Sequence, residues 1–113
     1  MLQEKVTRED LLQAVLQHET VSTIEIKKIT LPKGMASGKH LHPCAVVGYI
    51  VSGNVLFQEE GKEQQVLKAG DAFYEPKNKN ILHFDNASAD ESLVFVAFYL
   101  KEGNEELIKM LNQ

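Results

Sequence analysis

The chain has 113 residues, 43% hydrophobic and 25% charged, with a formal net charge of −4. That size and balance fit one globular domain and exclude a disordered tail or a two-domain enzyme. The acidic charge argues against nucleic acid as a partner, and no apolar run approaches the roughly 18 residues of a membrane span, so no membrane partner is expected.

The first predicted element is a short helix at about 8–17. Thr7 and Asp10 are spaced as a capping box, and Leu11 with Val15 and Leu12 with Leu16 form i, i+4 apolar pairs. An edge strand is the alternative. From Val21 onward the pattern is β. Ile24 and Ile26 share one face while Ile29 and Leu31 share the other, which predicts a bulge at Lys27-Lys28. Val46 to Phe57 is rich in β-branched and aromatic residues, broken by a turn at Ser52-Gly53-Asn54. A hairpin loop at Glu59–Lys62 and short strands at 65–67, 72–75 and 81–84 follow. Leu93 to Leu100 is a continuous apolar strand, expected to be buried on both faces. The tail suggests a small closing helix at about 104–111. Short strands at this spacing predict an all-β sandwich or barrel.

The strongest chemical signal is Gly34-Met-Ala-Ser-Gly-Lys-His40-Leu-His42-Pro. On a strand, residues two apart point to the same side, so both imidazoles can aim at one point. That is half of a metal site, although His-x-His alone is a weak pattern. Cys44 shares the parity of the two histidines. As the only cysteine it excludes an internal disulfide and suits a reducing, cytoplasmic compartment. It reads as a small buried hydrophobe or as a cavity-facing thiol. Tyr49 and Phe57 lie on strands expected to line the cavity, as core residues or as substrate contacts. Asn86 reads as a turn former. There is no phosphate-binding loop, nucleophile elbow or Cys-x-x-Cys motif.

Gly34, His40-x-His42 and Gly53 together resemble the first motif of the cupin superfamily. Gly70-Asp-Ala-Phe-Tyr-Glu-Pro76, followed by His83 and Asn86, resembles its second. The resemblance covers about residues 24–100, with the short intermotif stretch of a small single-domain cupin. It implies a double-stranded β-helix, or jelly roll. Residues 1–20 would form a cover segment, 21–102 the barrel and 103–113 a tail. It also implies a metal in the barrel mouth, held by two histidines and a carboxylate of the first motif and one histidine of the second.

Two departures matter. The first-motif carboxylate would fall on Val46, which cannot ligate. In the second motif Asn78 stands for the usual glycine and His83 arrives two residues late, so either Ile81 or His83 occupies the ligand position. Glu75 offers a repair. If Phe73 faces inward, Glu75 does too, and a carboxylate in an apolar barrel is costly unless coordinated or paired. The expected ligands are therefore His40, His42, Glu75 and His83, with Glu75 as ligand or general base. Cys44, Val46, Tyr49, Phe57, Phe73 and Ile81 are the expected pocket residues. The alternative for Glu75 is a rim position beside Lys77 or Lys79.

Such a site suits Fe, Mn, Ni or Zn with open positions for a small organic molecule. The expected function is a metal-dependent dioxygenase or isomerase. The alternatives are a non-catalytic module binding a metal or small ligand, and a structural protein with a vestigial pocket. A homodimer is expected because small barrels often bury exposed edge strands against a twin.

Overall fold

The computed structural model describes residues 5–111. Nine strands follow in chain order: β1 (Thr23–Leu31), β2 (His40–Leu41), β3 (Ala45–Ser52), β4 (Asn54–Glu59), β5 (Gln65–Lys68), β6 (Ala72–Glu75), β7 (Ile81–Asn86), β8 (Leu93–Lys101) and β9 (Lys109–Met110). They form a four-stranded sheet, β1-β8-β3-β6, and a five-stranded sheet, β5-β4-β7-β2-β9. The paired strands are antiparallel. Except for the β4–β5 hairpin, the chain alternates between the sheets, as a jelly roll requires.

The core lies between the sheets and contains Ile50, Val55, Ile81 and Leu93 at 0% exposure. Phe84 packs against Phe73 and Phe95 with ring centroids 4.9 and 4.7 Å apart. Burying each such side chain contributes about 1.5–3 kcal/mol. Phe73 is the cross-strand partner of Gly48. Its ring lies against the Gly48 backbone, where a Cβ would collide with it and with the Val96 carbonyl. Gly53 turns β3 into β4 at φ 90°, and a Cβ there would meet the Ser92 carbonyl oxygen at 2.8 Å.

Four expected features differ. Residues 8–17 form no helix. A helix of that length is marginal without tertiary support; instead Leu11, Leu12 and Ala14 border a hollow on the outer sheet face with Val47, Tyr49 and Ala72. The strand β1 has no bulge. It pairs with β8 in unbroken register, so Ile29 and Leu31 face inward while Ile24 and Ile26 stay 58% and 59% exposed outside. The tail forms β9 against β2 instead of a closing helix, which lays Leu107 on the core. In β8 the inner residues are buried and the outer ones half-buried. No helix among the described residues is long and apolar enough to cross a membrane.

Candidate metal centre

The loop leading to β2 is fastened before it delivers the histidines. The Ser37 amide donates to Asp85 Oδ1 at 3.1 Å, and the Ser37 hydroxyl donates to the Phe84 carbonyl. The buried Asn86 amide donates to the Leu31, Pro32 and Glu91 carbonyls, which makes it a staple between loops. His40 then enters the inter-sheet space from β2, paired with Ile81 on one side and Met110 on the other. Glu75 arrives from the opposite sheet, at the end of β6.

His40, His42 and Glu75 meet there at 3%, 5% and 2% exposure. One ligand atom from each lies within 4.8 Å of the others, a group able to hold a metal ion. Both imidazoles are oriented through Nδ1. His40 Nδ1 lies 2.8 Å from the Gly38 carbonyl oxygen, and His42 Nδ1 lies 2.6 Å from that of Leu107. A carbonyl only accepts, so each Nδ1 carries its proton and each neutral ring presents its Nε2 lone pair. These lone pairs face Glu75 Oε2, at 3.4 Å from His40 and 2.5 Å from His42. Apart from these two imidazoles, the buried Oε2 has no polar partner among the described residues. Such a convergence away from water is satisfied by a shared proton or by a bound metal cation.

Without a metal, the group holds a proton in that place. Burial, the largest influence on His40, disfavours its charge, yet the adjacent Glu75 carboxylate, with the Gly38 carbonyl and the Asp85 charge, outweighs burial and raises its pKa. Burial likewise pushes the Glu75 carboxyl up, but the two imidazoles together bring it below the usual value. Tyr99, whose ring lies 5.9 Å from that of His42, is pushed up to about 12, by burial first and then by the Glu75 charge. Its phenol is a neutral donor at physiological pH.

The ladder also shows how Glu75 relates to the family pattern. Val46, at the place of the first-motif carboxylate, is the direct cross-strand partner of Glu75. The carboxylate enters one strand over.

His83 is not brought to this centre. The pairing of β4 with β7 shifts register, with Gln58 opposite His83 and Glu59 opposite Ile81. Leu82 is therefore the extra residue of a bulge, and the parity joining Ile81 to His83 is broken. Ile81 turns inward at 0% exposure. The His83 side chain stays 38% exposed, with Nδ1 2.7 Å from Asp85 Oδ2.

The centre opens into a cavity of about 130 Å³. Val46 and Phe73 line it, as expected from the sequence. Cys44 and Ile81 instead pack in the core. Tyr49 alternates outward, opposite to Val46, and is 41% exposed. Phe57 packs at the core margin beside Phe84. Sequence reasoning missed Tyr99 and Ile108, which also line the cavity. The alternation of β8 was a signal for Tyr99; nothing local marked Ile108, which the tail brings back from far along the chain.

The chain matches the Cupin domain family over residues 27–99 and belongs to it. Among solved structures it is similar to the DMSP lyase DddQ from Ruegeria pomeroyi DSS-3, with TM-score 0.66 and 18% identity over 77% of this chain and 42% of that one. An oxalate oxidase in complex with glycolate gives 0.66 and 18%, over 78% and 46%. A cupin-like protein from Thermotoga maritima gives 0.61 and 25%, over 78% and 64%. The chain thus spans less than half the length of the lyase and oxidase chains. No curated protein matches. These likenesses establish a cupin, or double-stranded β-helix, fold; they do not assign an activity.

Proposed function

We propose that this protein is a metal-dependent cupin enzyme of dioxygenase or isomerase type acting on a small organic substrate. His40, His42 and Glu75 hold one divalent ion, Fe, Mn, Ni or Zn. What carries the reading is the convergence of the buried Glu75 Oε2 with two imidazole Nε2 atoms, with no other polar partner for that oxygen among the described residues. Three protein ligands leave open positions for substrate. When bound, the metal supplies Lewis-acid polarisation of a substrate oxygen.

The chain's own groups do the rest. The Gly38 and Leu107 carbonyls fix the ring tautomers, and Val46 and Phe73 keep the centre dry. Tyr99 donates a hydrogen bond to the bound ligand. Glu75 serves as a ligand; its Oε2 is committed to the centre, which leaves the general-base role as secondary. A cytoplasmic location and a homodimer belong to the same proposal. The dimer draws support from the exposed Ile24 and Ile26 on the outer sheet face.

The test is elemental analysis of untagged protein purified without chelator, for wild type, His42→Ala and Glu75→Gln. About one equivalent of metal, lost in both variants, is expected. An empty wild type after reconstitution with each ion refutes the centre. Bound metal without turnover across a substrate screen returns the reading to a non-catalytic binding module.

A further inference from the structure

The cavity's lining limits what can accompany the metal. Away from the three ligands, the Tyr99 phenol beside His42 and the committed Ser37 hydroxyl, it is apolar, built by Ile29 and Leu31 of β1, Phe95 and Ala97 of β8, Phe84 of β7 and Ile108 of the tail. None of its lining residues is Lys or Arg. Lys27 lies two residues before Ile29 on the same face of β1. Its ammonium is held 3.0 Å from Glu25 Oε2, and Lys27 stands outside the lining. The Ser37 hydroxyl is committed to the Phe84 carbonyl. A ligand's far end therefore meets hydrocarbon.

Charge and size narrow the class. A divalent ion with one carboxylate and two neutral imidazoles carries a net charge of about +1, matched by one anionic group on the ligand. The cavity of about 130 Å³ is close to the ~150 Å³ apolar void that admits benzene. A second carboxylate at the far end would lie against hydrocarbon with no cationic side chain in the lining to pair it.

Resting on the metal reading above, we propose that this pocket selects a small monoanion with a single oxygen-bearing head and an apolar body, and rejects dicarboxylates. Branched short-chain monocarboxylates, enolates and phenolates of that size share this chemistry. The acid-binding character comes from the metal with the Tyr99 hydroxyl beside it, and the apolar lining sets specificity.

The test uses the full chain loaded with Zn(II). Metal content is measured first, and 3-methylbutanoate and succinate are then titrated by calorimetry. The monocarboxylate is expected to bind at least about 100-fold tighter, the size of effect that an unpaired buried charge produces. Ile29→Arg places a guanidinium on the lining from an edge strand, where its stem can reach outward. This variant is expected to cut the preference at least about tenfold by admitting succinate. Leu31→Lys tests the same point should Ile29→Arg fail to fold. Equal or tighter succinate binding by wild type overturns the selectivity, as does an unchanged preference in a folded variant. Bound zinc with neither acid binding overturns the ligand class and leaves the metal centre standing. Absence of bound zinc overturns both.

Discussion

Moving the carboxylate across the ladder tests the geometry of the centre most directly. Val46 and Glu75 are cross-strand partners, so their Cβ atoms should lie about 4.5–5.5 Å apart on one face. Val46→Glu therefore sets a second carboxylate roughly 5 Å from the first. At an effective dielectric of about 20 the repulsion is about 3 kcal/mol. For a domain of this length that lowers the melting temperature by about 10–15 °C. Glu75→Val removes the only carboxylate of the His40–His42–Glu75 group and is expected to abolish metal binding. The double variant Val46→Glu/Glu75→Val restores one carboxylate to the same space from the other strand. It is expected to recover most of the lost stability and to bind metal within about tenfold of wild type, given the modest cost of a displaced ligand. Urea denaturation and calorimetric metal titration of the four proteins measure both quantities. A Val46→Glu protein as stable as wild type in chelator, or a folded double variant that binds no metal, would show that the two positions do not serve one centre.

The other predictions address the scaffold. Truncation after Gly103 removes the Leu107 carbonyl that orients His42 and the β9 pairing. It should weaken metal binding about 10–100-fold, and nitrogen NMR of the metal-free protein should show His42 losing its Nδ1-protonated form. An unchanged tautomer would rule out the tail's positioning role. Gly48→Ala forces a Cβ into Phe73 and the Val96 carbonyl and should cost about 1–3 kcal/mol, read as a lower urea midpoint at constant slope. The Cys44 thiol is fully buried, and burial, with a smaller push from Glu105, raises its pKa. At pH 8 its thiolate fraction is therefore below that of a free cysteine. A disulfide reagent should leave the native protein unmodified and react with one thiol only after denaturation; rapid native reaction would contradict the buried position.

Much of this protein was legible in its residues because strand periodicity and motif spacing are local. The alternation around His40 and His42 announced a shared target, and the parity of Phe73 and Glu75 brought the carboxylate inward. The resemblance to cupins rested on the order of the glycines, histidines and Pro76. The amphipathic spacing of Leu11 to Leu16, by contrast, predicted a helix that does not form.

The residues alone pointed to an all-β barrel and to four candidate ligands, His40, His42, Glu75 and His83, since side-chain direction on a strand repeats every two residues. Only the tertiary structure decided what period-two reasoning cannot see. The bulge at Leu82 turned His83 away and left Ile81 beside His40. The ladder set Glu75 opposite Val46. The tail returned Leu107 and Ile108 to the centre. Each of these depends on register or on contacts between distant segments, which are settled by how strands pair and pack rather than by any residue's immediate neighbours.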